Sequence, residues 1–98
     1  MTHHFETEAL EEYQDAVLYS DQRFGLGEEF VLAVEAALDT ISHDPERFQA
    51  VGEGVRIFRM RRFPYCLFYH YSSGSNSINI YTVAHHRRKP GYWRSRLS

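Results

Sequence analysis

The chain has one cysteine, Cys66, in 98 residues. No internal disulfide can form, which suits a reducing compartment, and a cytoplasmic location is expected. No apolar run approaches the roughly 20 residues that a membrane-spanning helix needs, so no membrane partner is expected. The opening residues, Met1-Thr2-His3-His4-Phe5, carry neither the basic start nor the apolar core of a secretory signal. Internal repeats and low-complexity tracts are absent. The length suffices for one hydrophobic core and not for two, so a single domain over residues 1–98 is expected. Acid is scarce in the second half, where Glu53 stands alone.

That scarcity exposes an asymmetry beneath a net charge of −2. Residues 1–50 hold twelve acids against Arg23 and Arg47, a local net of −10. Residues 51–98 hold nine basic residues against Glu53, a local net of +8. Such polarity points to an anionic partner, either nucleic acid or an acidic protein. Neutralisation of one half by the other across their packed faces is the alternative.

Hydrophobic periodicity divides the chain in the same place. A short strand is expected over residues 3–6, with Thr7 as N-cap of the segment that follows. Ala9, Leu10, Tyr13, Ala16, Val17 and Ser20 recur at three- and four-residue spacing, the signature of an amphipathic helix. Phe24-Gly25-Leu26-Gly27 breaks it. A second helix begins near Glu28, with Phe30, Val34, Ala37 and Ile41 on one stripe, and Asp44-Pro45 ends it. The short link makes the pair an antiparallel hairpin. Residues 45–54 read as a loop. Beyond them, residues 55–62, 65–71 and 77–85 are rich in β-branched and aromatic side chains and bounded by turn formers. Tyr65, Leu67, Tyr69 and Tyr71 share one face of the middle strand while Cys66 and Phe68 keep the other apolar, as in a central strand. The expected fold is α+β: a short N-terminal strand and an antiparallel two-helix hairpin packed on a small, mainly antiparallel β-sheet. A basic tail with Tyr92 and Trp93 closes the chain.

The motifs occur in a familiar order: Leu26-Gly-Glu-Glu-Phe30, Asp44-Pro45, Arg62-Phe63-Pro64-Tyr65, Val83-Ala84-His85, then Arg88-x-Pro90-x-Tyr92-Trp93-x-x-Arg96. From Glu6 onward the chain resembles the RelE/ParE superfamily of toxins, also called plasmid-stabilisation proteins. The resemblance implies a type II toxin–antitoxin module and a cognate antitoxin of the ParD/RelB type, whose flexible arm wraps the toxin. It implies one of two activities. RelE-like members are mRNA interferases that cut mRNA in the ribosomal A site, and ParE-like members are DNA gyrase inhibitors that catalyse nothing themselves.

Residues weigh between the two. Metal-free RNA cleavage needs a base for the 2′-hydroxyl, a cation for the phosphorane and an acid for the leaving oxygen. Arg59, Arg61, His85, His86 and Tyr92 are the candidates if the chain is a nuclease. Arg56, Arg59, Arg61, Arg87, Arg88 and Trp93 are the candidates for binding an antitoxin or target. Each has a plainer reading: strand arginines solvated or paired with helix acids, a polar strand end, and aromatics that pack the tail onto the sheet. In the ribosome-dependent nucleases an arginine follows the tyrosine aligned with Tyr65, and a lysine lies on the preceding strand. Cys66 and Ile57 stand at those positions here, whereas Arg59 and Tyr92 keep the pattern. The lean is therefore toward the ParE-like branch, with a RelE-like endoribonuclease or an inactive member as alternatives. No cofactor is expected. No metal is expected either, because the neighbours in His3-His4 and His85-His86 point to opposite faces of a strand. Cys66, between Tyr65 and Leu67, reads as a small core residue.

Overall fold

Both helical stripes and all three long strands form where the periodicity puts them. The computed structural model describes residues 1–87 and 91–97. In chain order these are β1 (Thr2–Phe5), α1 (Thr7–Phe24), α2 (Gly27–His43), β2 (Ala50–Gly52), β3 (Val55–Arg59), β4 (Tyr65–Ser72), β5 (Ser77–His85) and a 3₁₀ segment (Tyr92–Leu97). The strands form one sheet in the order β1-β5-β4-β3-β2, with β1 parallel to β5 and the other pairs antiparallel. This is the expected hairpin-on-sheet fold, with β4 central.

Strand β1 lies one residue earlier than expected, and three further differences each have a local reason. Thr7 is the first helical residue and not the N-cap. Glu6 holds the cap position because its N–H bonds to Ile80 O at 2.9 Å, which keeps it extended alongside β5. The stretch read as a loop contains β2, three residues paired with the start of β3. Strand β3 stops at Arg59, not Arg62, because the Met60 N–H closes on Tyr65 O at 3.0 Å and turns the chain into β4. The inter-helix break needs both glycines. Gly25 adopts φ +66°, which terminates α1 in the left-handed conformation. A Cβ on Gly27 would lie 2.8 Å from Asp21 Cβ.

The core lies between the helices and one face of the sheet. Phe30 of α2 is fully buried and meets Phe63 and Tyr65 edge-on, at centroid distances of 5.0 and 5.1 Å. Leu67, Tyr69, Ile78, Ile80 and Val83 form the sheet side. Pairing passes from Phe68↔Thr82 to Tyr69↔Ile80, so Tyr81 is the extra residue of a bulge. That insertion lets both Ile80 and Val83 face the helices although three positions separate them. The opposite face is also largely apolar, with Val55, Ile57, Cys66 and Ala84 buried beside Thr82. Trp93 covers it, packed on Phe68 at 5.3 Å.

Candidate functional site

Small side chains on α2 leave the first cleft open. Ala33, Ala36, Ala37 and Thr40 line the helix side, and Phe48 and Phe58 pack edge-on at 5.0 Å on the sheet side. The trough between them measures about 690 Å³. Its rim is basic. Arg47 lies over the Phe48 ring at 5.3 Å and Arg62 over Phe63 at 5.6 Å, with Arg59 and Arg61 beside them.

The second cleft, about 370 Å³, lies on the sheet face away from the helices. Ile57, Cys66, Phe68 and Ala84 form its floor, Gly91, Tyr92 and Trp93 its wall, and Arg59, His85 and His86 its rim. The wall is held by a strap across the sheet. At one end Arg94 donates to Val51 O at 2.9 Å and pairs with Glu53 at 3.4 Å. At the other end Arg96 makes a two-pronged contact with Glu12 of α1, both bonds 3.1 Å, and donates to Tyr81 O at 3.0 Å. Glu12 also accepts the Val83 N–H at 3.1 Å and the Tyr92 hydroxyl at 2.7 Å. The contact with Glu12 holds the Arg96 guanidinium above its ordinary pKa. This network closes the part of the β5 edge that β1 does not reach.

The candidates from the sequence divide between these places. Arg59 borders both clefts, and its guanidinium donates to Gln49 Oε1 at 3.2 Å. Arg61 faces the helix-side trough only. His85, His86 and Tyr92 join Arg59 in the second cleft, but the Tyr92 hydroxyl is directed at Glu12. His85 sets its ring edge-on to Tyr65 at 5.3 Å, and its Nδ1 accepts the Arg87 N–H at 3.1 Å. Arg56 is committed to Phe48 O at 2.7 Å, and Trp93 is buried. Arg87 is exposed, and Arg88 lies outside the described residues. Burial pushes the Cys66 thiol up, with Arg59 partly opposing the shift. Such a thiol is protonated at neutral pH and a poor nucleophile. Among the described residues no three His, Cys, Asp or Glu side chains gather as a metal site requires.

Sequence reasoning passed over Glu12, Arg47 and the structural part played by Arg96. A signal for Glu12 was present. It lies between Ala9 and Ala16 at helical spacing on the inward stripe of α1, where a carboxylate requires a partner.

The family model described as "ParE toxin of type II toxin-antitoxin system, parDE" matches residues 4–90. No curated protein sequence matches. Among solved structures, the chain is similar to a chain of the chromosomal ParDE system from P. aeruginosa, with 14% identity and a TM-score of 0.61. That alignment covers 87% of this chain and 95% of the other. It is also similar to the isolated E. coli RelE toxin, with 16% identity and a TM-score of 0.62, over 98% of this chain and 95% of that one. Identities this low speak for the fold. Among the described residues no helix is long and apolar enough to cross a membrane.

Proposed function

From the premise that this chain belongs to the ParE toxin family of type II toxin–antitoxin systems, we propose that its target is DNA gyrase. Membership makes it the toxin component of such a module, with an antitoxin as partner. The observation that carries the gyrase reading is the composition of the sheet-face cleft. Its floor is Ile57, Cys66, Phe68 and Ala84, and among the described residues Arg59 is the one guanidinium that lines it. A pentavalent phosphate gains little from an apolar floor and a single described guanidinium. Tyr92, directed at a carboxylate, is poorly placed to hand a proton to a leaving oxygen. The toxin then works by binding a protein–DNA machine through its basic end, in the cytoplasm.

One observation favours a ribosome-dependent endoribonuclease instead: Arg59, His85, His86 and Tyr92 do share a cleft. A paired assay of the purified toxin decides. Gyrase supercoiling reactions should accumulate cleaved DNA while ribosome-programmed mRNA stays intact. Cut mRNA that vanishes in Arg59→Ala and His86→Ala variants would transfer the assignment to the nuclease. No effect in either assay would mark an inactive member. For the partner, a ParD-type antitoxin with an acidic arm fits the basic rim. Charge reversal by Arg59→Glu and Arg61→Glu should weaken its binding at least tenfold, and unchanged affinity counts against this footprint.

A further inference from the structure

The sheet-face cleft suits a phosphorane poorly, yet it is a built cavity. Its volume of about 370 Å³ lies toward the low end of the roughly 300–1,000 Å³ of small-molecule sites. Ile57, Cys66 and Ala84 give it a buried apolar floor. Its wall is fixed by contacts made elsewhere. The Trp93 indole packs on Phe68 at 5.3 Å and carries the Arg94 guanidinium at 4.7 Å. The Tyr92 hydroxyl is tied to Glu12 at 2.7 Å. A lining held in this way is preorganised, so a small ligand loses little free energy in ordering it.

Charge reaches the cleft through one side chain. Arg94 and Arg96, the cations of the strap, are taken up by Val51 O and Glu53 and by Glu12. Arg59 is exposed and donates to a neutral acceptor, Gln49 Oε1, at 3.2 Å, which leaves its charge uncompensated there. That charge is felt at the floor, where it opposes the upward push of burial on the Cys66 thiol. Among the described residues no carboxylate lines the cleft. We propose that the sheet-face cleft binds a compact apolar monocarboxylate, its carboxylate on Arg59 and its hydrocarbon body on Cys66, Phe68 and Ala84 against Trp93. A guanidinium meets a carboxylate through two parallel hydrogen bonds, so one arginine suffices for the head group. A dianionic phosphate calls for more cations than this, and the body of such a ligand gains from the apolar floor what a phosphate cannot. The bound anion occupies Arg59 and so withdraws it from any macromolecular partner of the basic end. This site is the same whichever target the toxin attacks.

The test uses the purified toxin alone, with cyclohexanecarboxylate at neutral pH as the probe. Trp93, the only tryptophan, is part of the wall and reports occupancy through its emission. The carboxylate should give a saturable change. Cyclohexanecarboxamide, the same body without the charge, should bind at least tenfold more weakly. Arg59→Ala should bring the carboxylate down to the level of the amide and leave the amide itself unchanged. Ala84→Leu fills the floor and should abolish binding of both, and inorganic phosphate at equal concentration should not displace the carboxylate. Thermal unfolding of the variants checks the fold, and the comparison of carboxylate with amide on the unmodified toxin stands even where a variant fails to fold. No saturable change, or equal affinity for carboxylate and amide, overturns the proposal. So do displacement by phosphate, full affinity in Arg59→Ala, and binding that survives in a folded Ala84→Leu variant.

Discussion

Tyr69 shows how one hydroxyl ties a loop to the core. The ring is fully buried on β4, and its O–H donates to Pro45 O at 2.7 Å, fixing the chain just after α2. Burial raises its pKa to about 12 from 10.0; nearby Arg56 opposes the shift and Asp44 adds to it. The folded protein therefore holds this proton over a range in which the unfolded chain has released it. That contribution to stability is complete below about pH 10 and declines as pH rises toward about 12. Tyr69→Phe should cost about 1 kcal/mol at neutral pH and remove this part of the alkaline decline; urea titrations from pH 8 to 11.5 would show both. Cys66 is the companion case. With its thiol buried and its pKa raised, alkylation by iodoacetamide at pH 8 should run at least tenfold slower in the folded protein than in urea. Equal rates would mean that the sheet-face floor opens freely.

Among the elements, the C-terminal strap depends most on side-chain contacts. Among the described residues it pairs with no strand, and Trp93, Arg94 and Arg96 hold it to the sheet and to α1. Glu12 is the common acceptor for Tyr92, Arg96 and the Val83 N–H, and its side chain is only 17% exposed. Glu12→Gln keeps the shape but loses the charge and one of the acceptors, at a cost of about 2 kcal/mol. The loss should appear first in the strap. Trp93 is the only tryptophan, so its emission should shift to the red before far-ultraviolet circular dichroism changes. A variant whose strap and helices loosen together would show that Glu12 acts through α1 packing instead. Both helices keep their own core contacts, Phe30 of α2 against Phe63 and Tyr65, and Tyr13 of α1 against Phe5 and Phe30.

Taken whole, the molecule divides its charges by element. The acids lie mostly on the two helices, and the arginines collect on β3, the turn after it and the C-terminal region. A partner arm carrying acids is steered to the basic end. Association with the antitoxin should therefore slow about tenfold or more between 50 and 500 mM salt, with a smaller change in dissociation. A salt-independent association rate measured in stopped flow would place the encounter on the apolar trough alone.

The amino-acid pattern by itself determined the hairpin, the three long strands, the centrality of β4 and the family. Each follows from periodicity or from motifs carried within a few residues, such as the two apolar faces around Cys66 and the Gly25–Gly27 break. Tertiary structure decided the rest, because side-chain proximity across the fold has no local signature. Glu12 and Arg96 are far apart in sequence and meet only where α1 crosses the open part of the β5 edge. Arg59 and Arg61 are two residues apart on paper, yet Arg59 borders both clefts and Arg61 one, since β3 ends between them. The short β2 was invisible to composition, as its three residues are held by β3 and not by their own propensity. The trough exists because α2 turns alanines, and not larger residues, toward β3. The sequence displays those alanines, but only packing reveals the space they leave.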